Sequence, residues 1–331
     1  MYQPETYWVA LLFMVLSMLC WGSWASTMKM APKFPFQLFY WDYVIGALAT
    51  SLFWGFTLGS ARGGELAFLN SIHQADTTHI AWAIAGGVLF NIANLLLVTA
   101  IDLAGLAVAF PVGIGLALVV GVLLNFMISP KGNPLLLFGG VALVVLAIVL
   151  NAVAYRRREI EKKTLSLLGI EISVACGILM GISYPFIVKA ITGDHSLGPY
   201  AVSFVFAVGI AFCTIPVNYY LMRRPLTGSA PVDMKGYFGA GSLNHFWGIA
   251  GGAVWCTGTT LNFTTSHAQI IGPAVSYAIG QGATMVSAIW GVFIWKEFSE
   301  APASARKLLL PMFVFFIIGL VAVAVAPVLG R

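Results

Sequence analysis

Apolar residues along this chain come in runs of about 20, the length an α-helix needs to cross a bilayer's hydrocarbon core, and short polar stretches separate the runs. The runs fall at 7–28, 38–59, 80–101, 104–128 and 134–155, then at 166–188, 198–221, 243–264, 269–294 and 307–328. Hydrocarbon offers no water to the backbone, so each run must satisfy its own N–H and C=O groups, and a helix does so. The pattern predicts an all-α integral membrane protein with ten transmembrane helices in a single membrane domain over residues 1–331.

The runs divide five and five, over 1–160 and 161–331. An odd number per half makes the second half enter from the opposite side, so a duplication here is inverted. A duplication is written in the sequence. Ala107-Val108-Ala109-Phe110-Pro111-Val112-Gly113-Ile114-Gly115 returns 167 positions later as Ala274-Val275-Ser276-Tyr277-Ala278-Ile279-Gly280-Gln281-Gly282. Ser23-Trp24 with Lys29 matches Ser183-Tyr184 with Lys189, and Tyr40 matches Tyr200, both at a separation of 160. Gly86-Gly87 matches Gly251-Gly252 at 165. Inverted repeats let secondary transporters present one site to two faces in turn.

Composition narrows the classes. The chain is 60% hydrophobic and 9% charged, against roughly a quarter charged in soluble domains, so lipid bilayer is its main surroundings. Arg62, Lys131, Lys189 and Arg331 lie on one set of loops, and the other 13 of the 17 basic residues lie on the opposite set. The positive-inside rule makes the richer face cytoplasmic and puts both termini outside, as in a plasma (inner) membrane protein. The cluster from Arg156 to Lys163 reads as a topology anchor. The net charge of +5 implies no nucleic acid, because the basic residues form no groove-like cluster. Cys20, Cys176, Cys213 and Cys256 sit in apolar runs without metal-ligand spacing and read as buried small hydrophobes. The first run is too long for a cleaved leader and has no Lys or Arg before it. Enzyme signatures are missing: there is no HExxH, Walker A or GxSxG, and Gly113-Ile114-Gly115 lacks the rest of a dinucleotide fingerprint. No cofactor or metal is implied.

Candidate chemistry lies at mid-depth. Gly115 and Gly282 each come about ten residues into their runs, roughly 15 Å at the helical rise, which leaves space for a solute or for a packed neighbour. Asn91 and Asn94 share a helix face at similar depth, with Cys256 and Thr259 as counterparts and Asn262 one turn on. Amides in hydrocarbon need partners. With Ser276, Tyr277 and Gln281 they would make a neutral site rich in donors and acceptors. Trp21, Trp24, Tyr184 and Trp255 offer flat faces, as does Phe110 opposite Tyr277, while Trp8, Trp54 and Trp82 suit the interface. The candidates for proton coupling are Asp42, Lys29, Glu171 and His245. Asp42 is a carboxylate present in one repeat only, with Val202 as its counterpart at 160. Its alternative is a static pairing with Lys29 or Lys33. Lys29 and Lys189 also suit snorkelling at helix ends, and Asp102 and His267 suit caps in matching turns.

Two five-helix halves resemble the drug/metabolite transporter superfamily. Trp21-Gly22-Ser23-Trp24, Tyr40-Trp41-Asp42-Tyr43, Gly86-Gly87-Val88 with Asn94-Leu95, and Gly105-Leu106-Ala107-Val108 resemble its ureide permease branch more closely. Glucose/ribose and rhamnose porters share the Trp-Gly-Ser opening. The central linker here is shorter than in plant ureide permeases and has no nucleotide-binding-like loop. The resemblance implies proton-linked uptake of a small uncharged polar solute, an ureide, nucleobase or monosaccharide, with sodium as the alternative coupling ion. An exporter of drugs or metabolites on the same fold is the competing reading.

Overall fold

The structure is a computed structural model describing residues 1–32, 34–158 and 166–329, without the side chains of residues 106 and 107. Lys33, the boundary at 160, Lys162, Lys163 and Arg331 lie outside the described residues. In chain order the helices are α1 (Tyr7–Ser23), α2 (Ser26–Lys29), α3 (Phe36–Phe56), α4 (Phe68–Gln74), α5 (Thr77–Ala104), α6 (Leu106–Ile128), α7 (Pro134–Arg158) and α8 (Leu167–Ala190). They continue with α9 (Pro199–Arg223), α10 (Met234–Phe238), α11 (Ser242–Ala268), α12 (Pro273–Gly280), α13 (Ala283–Ile289), a π-helical turn at Trp290–Ile294, α14 (Ala303–Arg306) and α15 (Leu309–Leu329). No strand occurs among the described residues.

Local sequence explains several starts. Thr6 caps α1 by accepting from the Val9 N–H, and Ser166 caps α8 by accepting from that of Gly169. Pro199 and Pro273 open α9 and α12, where a missing N–H is harmless.

Eight segments among the described residues are long and apolar enough to cross a membrane. The expected runs at 38–59 and 243–264 fall on α3 and α11, which are 21 and 27 residues long but are not among these eight. The reason is polarity: α3 holds Gln37, Tyr40, Asp42 and Tyr43, and α11 holds Asn244, His245, Thr259, Thr260 and Asn262. These two helices pack on each other.

Around them, α5 packs on α8 and α9, α6 on α8, α1 on α11, α3 on α9, and α7 on α15. Two crossings rest on glycine. A Cβ on Gly252 or Gly46 would overlap the carbonyl oxygen of Tyr43 or Ile249, so α3 and α11 touch backbone to backbone. At the α5–α9 crossing, Gly87 lies against the carbonyl of Phe206 and Gly209 against that of Ile84. Small residues permit such approach where lipid supplies no hydrophobic push between helices.

The two copies of the nine-residue motif begin alike and then diverge. Gly105 before α6 has φ 79°, ψ 158°, and Gly272 before α12 has φ 89°, ψ 155°, a region open to glycine alone. Beyond it α6 runs on through Pro111 to Ile128. The second copy breaks at Gln281 and Gly282 before α13 resumes.

Candidate solute-binding site

Rings from six helices meet in the interior. Trp24, just past the end of α1, lies 4.9 Å from Tyr43 of α3, and Tyr43 stacks on Tyr40 at 5.2 Å. Tyr43 is 5.6 Å from Trp255 of α11, which stacks with Phe90 of α5 at 5.0 Å and with Phe206 of α9 at 6.2 Å. Phe206 leads to Phe263 at 5.4 Å, then Tyr184 of α8 at 5.8 Å and Tyr277 of α12 at 4.9 Å. Four aromatic candidates, Trp24, Tyr184, Trp255 and Tyr277, thus belong to one continuous band. Phe110 is half-buried in α6 against the core and takes part in none of these ring contacts among the described residues.

Polar groups flank the band. Asn91, fully buried on α5, accepts from the Tyr40 hydroxyl at 2.7 Å and from Thr214 at 3.2 Å, and Asn94 donates to Tyr40 at 3.1 Å. On the other flank Tyr184 donates to Asn262, whose amide donates in turn to the Ser276 carbonyl at 3.2 Å. Thr259 accepts from the Trp21 indole at 3.0 Å, and Tyr277 donates to the Ala117 carbonyl at 3.2 Å, with Gln281 beside its hydroxyl. Three buried groups here have no protein partner: the Tyr43 hydroxyl, the Asn91 amide nitrogen and the Ser276 hydroxyl. Burying a polar group unpaired costs about 1–3 kcal/mol, a cost that a hydrogen-bonding solute beside these atoms would offset. Gly115 is buried, yet a Cβ there would meet nothing within 4 Å, so a void lies beside it.

At one end of the molecule Asp42, 1% exposed, accepts from the Tyr237 hydroxyl of α10 at 2.6 Å and contacts His245 Nδ1 at 2.7 Å. Phe34 covers both partners, 5.5 Å from the imidazole and stacked on Tyr237 at 6.3 Å. Burial, then the hydrogen bond to Asp42 and its charge, push the Tyr237 phenol well above its ordinary range, so it remains a donor. Two coupling candidates, Asp42 and His245, therefore meet across 203 positions of sequence. The static pairing of Asp42 with Lys29 does not form, because Lys29 is bound to Glu297 instead. Glu171 is exposed on α8, away from the interior. Lys189 lies 4.5 Å from the Trp82 ring centroid.

The opposite end holds a cavity of about 690 Å³ lined by Glu65, Gln74, Ser129, Asp194, His195 and Gln269, among others. On the Asp42 side, a crevice between the start of α3 and the ends of α5 and α9 holds only about 20 Å³.

Sequence reasoning did not single out Tyr43, Phe90, Phe206 or Phe263 as site walls, nor Tyr237 and Glu297 as partners. An aromatic inside an apolar run gives no signal that separates a site wall from a lipid contact. Tyr237 and Glu297 lie in connecting segments, and their partners are set by tertiary packing.

Apolar helices around a polar, ring-walled interior define a polytopic membrane protein of the transporter class. The ureide permease family model matches residues 39–167 and 154–327, and the chain belongs to that family. Its members are permeases, not enzymes. Ureide permease 4 of Arabidopsis thaliana is 23% identical over 394 aligned positions, covering 96% of each protein. Ureide permease 1 of the same plant is 22% identical, covering 98% of each. A protein of known crystal structure superposes over 98% of both chains with a TM-score of 0.62 at 18% identity, a likeness of fold alone.

Proposed function

We propose that this protein is a secondary transporter, a proton-coupled uptake system for a small uncharged polar solute of the ureide, nucleobase or monosaccharide class. The observation that carries the reading is the set of unpartnered buried groups on Tyr43, Asn91 and Ser276 beside aromatic faces. An ureide is planar and neutral, with N–H donors and C=O acceptors close together. It can lie on a ring and exchange hydrogen bonds with a hydroxyl and an amide. The relatives named as ureide permeases favour that class over a sugar.

Ten spans in two inverted repeats, with both termini outside, would give this site alternating access. The helix contacts support the repeat because they occur in corresponding pairs: α5 on α8 and α11 on α1, α6 on α8 and α12–α13 on α1, α11 on α3 and α5 on α9. So do the matching backbones of Gly105 and Gly272. The glycine crossings pair Gly46 with Gly209 and Tyr43 with Phe206, a separation of 163 instead of 160 between α3 and α9. Val205, not Val202, then stands opposite Asp42, and no carboxylate answers it in either register.

Asp42 and His245 are the coupling groups in this reading. A carboxylate and an imidazole in hydrogen-bond contact can hold a proton between them and exchange it with water when the end of the molecule opens. The test is uptake of a labelled ureide, nucleobase and monosaccharide into proteoliposomes, with and without an inward proton gradient. We expect gradient-dependent accumulation of the ureide, reduced to passive equilibration by Asp42→Asn. Uptake indifferent to the gradient would rule out coupling, and absence of flux for all three solutes would overturn the substrate assignment.

A further inference from the structure

The helix pair α1–α2 and α12–α13 differs from its counterpart, α8 with α6, in that both of its members are interrupted. α1 stops at Ser23 and resumes as the single turn α2. The α12–α13 segment breaks at Gln281–Gly282 and again at the π-helical turn, whereas α6 and α8 run 23 and 24 residues without a break. Interruptions of the backbone ladder are where helices bend and segments pivot.

Both interrupted elements end at one carboxylate. Glu297, three residues past the π-helical turn, accepts from Lys29 at the end of α2, from the Tyr155 hydroxyl at 2.7 Å and from Arg158 Nη1 at 3.0 Å, the last two on α7. Its side chain is 17% exposed. Lys29 also lies 5.3 Å from the Trp295 ring centroid, and the Trp290 indole donates to Ser23 at 2.8 Å across the same seam. α7 packs along α15, so Glu297 fastens the end of an interrupted element to a continuous one. In the matching turn on the other face, Lys131 hydrogen-bonds the Gln269 carbonyl oxygen. That face holds the cavity of about 690 Å³.

We propose that Glu297 is a gate-positioning residue for transport: by holding α2 against α7 it keeps its own face shut while the opposite face is open, and its release lets the solute leave. The assignment rests on the transporter reading above. Removing the carboxylate takes away the group that binds Lys29 and Arg158 together, and two facing cations repel.

The test uses the full chain with Cys20→Ala and spin labels at Pro32→Cys and Ser299→Cys, both exposed positions flanking the seam. In lipid nanodiscs the parent should give a short inter-label distance. Glu297→Gln should move most of the distribution to longer distances, with the open form gaining about tenfold in population. Lys29→Met, which leaves Glu297 on Tyr155 and Arg158, should shift it in the same direction and guards against a folding defect in the first variant. Both variants should bind solute with little change in affinity but accumulate it less. An unshifted distribution in both variants overturns the gate. Failure of the parent to move any solute overturns the transporter reading instead, and the distance measurement is independent of that outcome.

Discussion

Tyr43 carries a hydroxyl that is buried and has no hydrogen-bond partner within the protein. Its removal should therefore stabilise the fold or leave it unchanged, because Tyr43→Phe discards an unsatisfied oxygen and keeps the ring that touches Trp24, Tyr40 and Trp255. If the hydroxyl reads the solute, affinity falls by about tenfold, one hydrogen bond's worth. Thermal unfolding and equilibrium binding measured on the same sample separate the two effects. A drop in stability, or affinity at the parental level, would remove Tyr43 from the site. Sequence made Asn91 and Asn94 conspicuous because an amide in an apolar run asks for an explanation. It could not do so for Tyr43, whose significance comes from what its oxygen lacks. Likewise Asp42 stood out as an isolated carboxylate, but its partners lie 195 and 203 positions away and no local pattern joins them.

Among the elements, α3 and α11 do the most to position the site, and they are also the most polar of the long helices. Their crossing depends on the absence of side chains at Gly46 and Gly252. Gly252→Ala should push the two backbones apart, destabilising the protein by about 1–3 kcal/mol as overpacking does and separating Tyr43 from Trp255. Gly139→Ala is the control, since a Cβ there meets nothing within 4 Å. Melting of the two variants in detergent, compared with the parent, checks the prediction, and equal losses would refute the crossing argument. The apolar runs fall on the long helices, α3 and α11 included, although the polar residues of those two leave them short of the apolarity of a membrane span. Hydropathy missed the break after Gly280 and the π-helical turn, because nothing in Gly280-Gln281-Gly282 sets it apart as a break from Gly113-Ile114-Gly115, which stays helical. The difference lies in surroundings: Gly280 and Gly282 meet Trp21 and Met18 of α1, whereas Gly115 faces a void.

For the molecule as a whole, two clusters on one face, Glu297 with its cations and Asp42 with His245, answer to different chemistry, and pH should distinguish them. Burial raises the Glu297 carboxyl, but its bonds to Lys29 and Tyr155 and the charges of Lys29 and Arg158 outweigh this and hold it below the ordinary 4.5. A carboxyl depressed in the closed form stabilises that form fully above its ordinary value and stops doing so as pH falls through the depressed one. The Glu297 seam should therefore stay shut between about pH 5 and 8. A change in transport rate over that range would then have a source other than the Glu297 seam, and Asp42, the proposed coupling group, is the one to test. Labels at Pro32 and Ser299 should report one distance throughout it and a longer one only below pH 4.5. Solute flux through the parent should vary with pH well before the distance does, and Asp42→Asn should flatten that variation without moving the seam. Were the labels to separate in step with the flux, Glu297 would itself be the proton-responsive group and the division of labour between gate and coupling site would be wrong. That division has a structural basis: each carboxylate accepts from a phenol, but Asp42 is otherwise met by an imidazole and Glu297 by a lysine and an arginine, which hold their protons.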